Sequence, residues 1–223
     1  MKEANGKKSF VVGLALLVLF VIWTILIQCV DVKSVGLNGP DIGFATINLF
    51  FHTLTGVHMT LYTITDWLGL VPIIICMVFG TIGFVQMIKR KSLIKVDYDI
   101  IILGLYYVLV ILGYLIFEMI PINYRPILID GFMEASYPSS TTLLVLSVMP
   151  TLIFQLRRRM SDGILRNVLF LITVLFTLFM VMGRTVAGVH WLTDIIGSIL
   201  LSIGLNMIYK ATVLMIDEKS KSN

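Results

Sequence analysis

Three features of the sequence predict an all-α, polytopic membrane protein. Apolar runs of near-span length recur along the chain, charge is scarce, and the basic residues cluster between alternate runs. Of 223 residues, 58% are hydrophobic and 13% charged, whereas a soluble domain carries about 25% charged residues. The mean hydropathy is +0.97. A soluble globular domain is thereby excluded. The net charge of +4 reads as orientation in the membrane rather than as affinity for nucleic acid.

Six spans are expected, over residues 10–30, 71–88, 100–117, 141–156, 168–182 and 195–214. They belong to one membrane-embedded domain covering 1–223. The first run follows Lys7 and Lys8 as a signal peptide would. It is too long for such a peptide's apolar region and lacks a small-x-small cleavage site, so it is read as a retained span. The fourth and fifth are short against the roughly 20 residues a bilayer needs, and their ends are expected to extend into the flanking motifs.

Lys2, Lys7, Lys8, Lys89, Arg90, Lys91, Lys95, Arg157, Arg158, Arg159, Arg166, Lys210, Lys219 and Lys221 all fall on one side of a six-span chain, and only Lys33, Arg125 and Arg184 on the other. The positive-inside rule then places both termini in the cytoplasm. Arg157-Arg158-Arg159 is explained by the same rule, with recruitment of anionic lipid as the alternative. Segments 31–70, 118–140 and 183–194 lie outside. The first opens with the turn-rich Gly36-Leu37-Asn38-Gly39-Pro40-Asp41. It continues over 44–67 as amphipathic helix suited to the interface. His52 and His58 are six apart, not a same-face helical pair, and are read as outer-loop residues. Cys29 and Cys76 show no metal-ligand spacing and read as buried thiols. No packing face for an oligomer stands out.

Three stretches face outward in this topology: Tyr124-Arg125-Pro126, Tyr137-Pro138-Ser139-Ser140-Thr141-Thr142, and Gly183 to Asp194. Arginine offers a planar fork of donors matched to phosphate oxygens, so Arg125 and Arg184 are candidate clamps. Ser139 and Ser140 open a helix whose first amides suit an anion. His190 and Asp194 are four apart. On one helix face the carboxylate would hold one ring nitrogen and leave the other free to attack phosphorus. The alternative for this pair is a helix start capping its own backbone.

These stretches resemble the signature motifs of the type 2 phosphatidic acid phosphatase superfamily, which read Lys-x6-Arg-Pro, Pro-Ser-Gly-His and Ser-Arg-x5-His-x3-Asp. Arg125-Pro126 matches the end of the first, Pro138-Ser139 the start of the second, and Arg184, His190 and Asp194 the third at its spacing. The motif region covers 118–194. The resemblance implies a helical membrane phosphatase. His190 would form a phosphohistidine, with Asp194 orienting it. Arg125, Arg184, Ser139 and the amides near Ser140 would bind phosphate and stabilise its transition state. It also implies a mechanism that requires no metal or other cofactor.

Four positions depart from the motifs. Gly183 replaces serine, and Ser140 replaces glycine. Glu118 stands where the first motif has lysine; an ionised carboxylate repels phosphate, and it would instead pair with Arg125, Arg184 or a cationic headgroup. Thr141 stands where the second motif has the histidine that protonates the leaving group and then activates water. Threonine does neither at neutral pH, and such help is worth about 10²–10⁴ in rate. Either the site is turned to another use, or Thr141 is a substitution within an otherwise intact frame.

The leading expectation is a phosphatase acting on a lipid phosphate or diphosphate: polyprenyl diphosphate, phosphatidic acid or phosphatidylglycerol phosphate. Its site would be on the extracytoplasmic face of a plasma (inner) membrane. Its partners are then the lipid substrate and the membrane. Two alternatives are a catalytically weak binder or transporter of phospholipid headgroups, and a phosphotransferase passing the group from His190 to a lipid acceptor.

Overall fold

A computed structural model of the protein describes residues 2–35 and 39–222. Among the described residues, six helices are long and apolar enough to cross a membrane: Gly6–Cys29, Met59–Arg90, Tyr98–Met119, Ser140–Arg159, Ile164–Val186 and Leu192–Lys221. Each covers one of the expected spans, the first ending one residue earlier, at Cys29 instead of Val30. The fourth and fifth do lengthen into the motifs: one begins at Ser140, and the other carries Arg184 in its last turn.

In chain order the helices are α1 (Lys2–Cys29), α2 (Ala45–Thr55), α3 (Met59–Leu68), α4 (Leu70–Arg90), α5 (Tyr98–Met119), α6 (Ser140–Arg159), α7 (Ile164–Val186) and α8 (Leu192–Ser222). A two-residue antiparallel ladder, β1 (Lys33–Ser34) against β2 (Asp41–Ile42), follows α1. Residues Gly36 to Asn38 of the turn-rich stretch lie outside the described residues.

Residues 59–67 do not form a separate interfacial helix. α3 continues through Gly69, which has helical φ and ψ, into α4, so the second span begins at Met59. Its register is fixed by contact with α7. A Cβ on Gly183 would lie 2.8 Å from Thr65 Cγ2 and 3.5 Å from Leu61 Cδ1, so only a glycine admits α3 at this distance.

α8 is the central helix, packed by α1, α5 and α6. Gly13 of α1 and Gly204 of α8 face each other. A Cβ on Gly13 would stand 3.0 Å from Gly204 O, and one on Gly204 3.2 Å from Gly13 O. This is the close backbone approach that small residues permit between spans. Ser198 Oγ donates to Ser139 O at 2.9 Å and Ser202 Oγ to Leu143 O at 3.2 Å, tying α8 to α6. The aromatic core between these helices includes Phe20, Tyr106, Tyr107, Tyr137 and Tyr209. Leu171, Ile172, Leu175, Leu178 and Met182 of α7 are exposed, the apolar face a bilayer covers.

The two ends of the bundle differ. At one end, α6 closes in Arg157-Arg158-Arg159, beside the start of α5 and the end of α8. The three motif stretches gather at the other. Both cysteines are free; Cys76 is half-buried, but Cys29, at the end of α1, is exposed rather than buried.

Candidate active site

The loop between α5 and α6 folds back on itself. Arg125 N–H donates to Glu134 O at 3.0 Å and Ser136 N–H to Asn123 O at 2.9 Å. This short hairpin sets Arg125, Glu134 and Ser136 on one surface. The turn between α7 and α8 is pinned from the other side. Gly188 has φ +70, and a Cβ there would fall 1.9 Å from Gly56 O. His58 N–H donates to Ala187 O at 3.0 Å. No side chain fits between the α2–α3 corner and this turn.

His190 is buried in that turn. Its Nδ1 is 3.1 Å from Ser136 O. A carbonyl only accepts, so Nδ1 carries the proton and Nε2 keeps its lone pair. Arg184 Nη2 lies 3.4 Å from that Nε2. Burial pushes the imidazole pKa from 6.5 down to about 4, with the charges of Arg125 and Arg184 acting in the same direction against Asp194. The ring is therefore neutral at pH 7, with its free nitrogen turned toward a guanidinium.

Asp194 Oδ2 stands 3.8 Å from His190 Nδ1, beyond hydrogen-bond range. The same oxygen accepts Trp191 N–H at 2.9 Å, and Oδ1 accepts from Asn123 Nδ2 at 3.3 Å. Asp194, the third residue of α8, thus reaches back to the residue before the helix, as in a capping box. It acts on the ring as a nearby buried charge, and the Ser136 carbonyl takes the direct contact.

Arg184 and Arg125 converge on Tyr62 of α3, with Cζ atoms 4.7 and 5.8 Å from the ring centroid. Arg184 Nη1 lies 3.4 Å from Asp66 Oδ1, one helical turn beyond Tyr62. Arg125 Nε lies 3.0 Å from Glu134 Oε2, but out of line with its N–H. Arg125 Nε and Nη1 and Arg184 Nε are buried without a hydrogen-bond partner. Buried guanidinium donors left open mark a place for an anion.

Two adjoining clefts share Tyr114 and Ser140 as walls. The polar one, 220 Å³, is lined by Glu118, Arg125, Glu134, Ser136 and His190. The apolar one, 510 Å³, is lined by Leu70, Ile73, Val110, Leu144 and Val148, with Asp66 and Thr141. Ser140 thus faces both. Ser139 turns its hydroxyl away, to Thr142 Oγ1 at 3.0 Å. Glu118 borders the polar cleft, but the acids paired with the arginines are Glu134 and Asp66. His52 packs edge-on to the Trp191 ring and His58 bonds Thr55 O, so neither borders either cleft.

Sequence reasoning missed Tyr62, Asp66, Asn123, Glu134 and Ser136. One signal was present: Tyr62 and Asp66 are four apart in an apolar segment, the spacing of one helix face. No group of three or more His, Cys, Asp or Glu side chains suited to a metal ion occurs among the described residues.

A six-span bundle with an anion-ready cleft at one end of the helices defines a membrane protein built to hold an anionic group. The family model of the PAP2 superfamily matches residues 13–216, and the chain belongs to that superfamily. It is similar in structure to the first transmembrane PAP2-type phosphatidylglycerolphosphate phosphatase from Bacillus subtilis solved by crystallography. The TM-score is 0.60 at 17% identity, over 93% of this chain and 96% of that one. At that identity the likeness speaks to the fold. No curated protein sequence matches the chain. At family level the protein is a lipid phosphatase of the membrane.

Proposed function

We propose that the protein hydrolyses lipid phosphates or diphosphates through a phosphohistidine on His190, at the extracytoplasmic face of the plasma membrane, with both termini in the cytoplasm. The observation that carries this is the neutral, buried His190, its Nε2 lone pair directed at Arg184. The phosphoryl group sits in the polar cleft beside Arg125, His190 and the amide of Ser140, with Arg184 reaching it alongside His190 Nε2, and the lipid chains lie in the apolar cleft next to it. Nε2 attacks phosphorus, the phosphorus–oxygen bond to the lipid breaks, and the arginines stabilise the charge on the equatorial oxygens. Sidedness rests on the placement of fourteen of the seventeen Lys and Arg residues at the opposite end of the spans.

Thr141 narrows the substrate. With no imidazole there, an alkoxide leaving from a monoester lacks its usual proton donor. The phosphate monoester leaving from a lipid diphosphate departs unprotonated. The site therefore favours a diphosphate over phosphatidic acid or phosphatidylglycerol phosphate. The same threonine also favours one other reading, a headgroup binder without turnover.

The test is phosphate release from a polyprenyl diphosphate and from phosphatidic acid, using purified protein with metals chelated. Release from the diphosphate is expected to be faster, to rise in Thr141→His and to vanish in His190→Ala. A Thr141→His protein no faster than the parent contradicts the role given to position 141. Lipid binding with no release even from Thr141→His establishes the binder.

A further inference from the structure

In the second half of the reaction a water must lose a proton as it attacks the phosphohistidine, and Thr141 has no capacity to take one. Asp66 is placed to do so. It is the one acid on α3. Its Oδ1 is 3.4 Å from Arg184 Nη1, and Arg184 Nη2 is 3.4 Å from His190 Nε2, so a single guanidinium separates carboxylate from nucleophile. The Asp66 side chain is 56% exposed where Arg184 is 1% exposed, so the carboxylate opens onto the cleft instead of being sealed in the bundle. Asp66 shares the wall of the apolar cleft with Ser140 and Thr141. The join of α3 and α4 also touches Thr141: a Cβ on Gly69 would stand 3.6 Å from Thr141 Cγ2. With the lipid chains placed in the apolar cleft, the leaving group departs on this side of the phosphoryl group. In-line displacement brings the water in from the same side, opposite Nε2.

We propose that Asp66 is the general base of this second step, an assignment that rests on the phosphohistidine reading above. The Asp66 carboxylate accepts a hydrogen bond from the water. As the water oxygen bonds to phosphorus, the bond from phosphorus to Nε2 breaks and its electron pair returns to the imidazole. The water's proton passes to Asp66 and from there to solvent. Inorganic phosphate leaves. Gly183 serves this arrangement, since its missing side chain lets α3 carry Asp66 and Tyr62 up to the arginines.

A positioning role for Asp66, holding Arg184 alone, predicts a different intermediate. The experiment mixes the purified protein in detergent with farnesyl diphosphate radiolabelled in its terminal phosphate. It is quenched in alkali, where phosphohistidine survives, and label on the protein and free phosphate are followed from milliseconds. For Asp66→Asn, steady-state release is expected to fall by about 10²-fold or more, the usual worth of a general base. Label on His190 should rise toward one per protein. Asp66→Glu, which keeps a carboxylate, should recover much of the release and shed the label, separating chemistry from misfolding. The proposal is overturned if Asp66→Asn releases phosphate at nearly the parent rate, or if it is slow and labels more weakly than the parent. If the parent releases phosphate while neither it nor Asp66→Asn is ever labelled, the phosphohistidine reading itself fails.

Discussion

Two pairs of arginines stand at opposite ends of the bundle, and they are bonded in opposite ways. Away from the site, Arg158 sends Nε to Asp99 at 3.2 Å, Nη1 to Asp217 at 2.6 Å, and Nη2 to Asp217 and Tyr98, both at 3.1 Å. Arg159 reaches Gln155 and Asp99, each at 2.9 Å. These guanidiniums are spent on joining α5, α6 and α8. At the site, the contacts of Arg184 with Asp66 and His190 are both long, at 3.4 Å, and buried nitrogens of both Arg125 and Arg184 go without a hydrogen bond. A saturated arginine stabilises the fold. An under-bonded buried one costs free energy until an anion arrives, which is the arrangement expected of a binding site.

The contrast predicts that function and stability separate between the two ends. Arg184→Ala should lower kcat/KM by about 10²–10³, the usual cost of one oxyanion donor, with little change in melting temperature. Asp99→Ala should do the reverse. It strips Arg158 and Arg159 of a shared acceptor, at a cost of about 1.5–3 kcal/mol, and leaves kcat/KM near the parent value in a thermal melt and phosphate-release assay run side by side. Equal losses of activity from both would break the comparison.

The pH profile sharpens it. His190 titrates at about 4 instead of 6.5, so kcat/KM should hold from pH 7 to about 5 and fall as protonation removes the Nε2 lone pair. Stability follows the same sign. Between those two values the unfolded chain binds a proton the folded one excludes, so this contribution is complete above 6.5 and is lost as the pH falls toward about 4. A half-point of activity near 6.5 would mean an imidazole that is not buried as described.

The smallest expected effect is at Gly183. Restoring the motif serine pushes on Thr65, and through α3 on Tyr62 and Asp66. Gly183→Ser should reduce kcat/KM by less than the ~10²-fold of a full 1 Å misplacement.

What was legible in the sequence follows from how far each feature depends on distant contacts. The spans were legible because a predominantly apolar run of near-span length carries its own instruction. The third motif was legible because Arg184, His190 and Asp194 lie within one short segment at a recognisable spacing. The hydrogen-bond partner of His190 was not, because Ser136 comes from a separate loop, 54 positions away. α3 was read as interfacial because its polarity looks like a surface feature until Arg184 is placed beside Asp66. The bonding of the triplet Arg157-Arg158-Arg159, beyond its value as a topology signal or a lipid-recruiting cluster, was not legible, because Asp99 and Asp217 come from two other helices. The Gly13–Gly204 contact joins the first span to the last, and each glycine alone is unremarkable in sequence.

The central claim is that the arginines at the site keep their donors for a phosphoryl group. It is tested most directly by the melting temperature of the purified protein with and without orthovanadate, a phosphoryl mimic. At about 100 times its Kd a ligand adds roughly 2.7 kcal/mol of stability. The parent should show that rise, Arg184→Ala should lose it, and Asp99→Ala should melt lower but keep it in full. A rise that persists in Arg184→Ala, or one that disappears in Asp99→Ala, would contradict the claim.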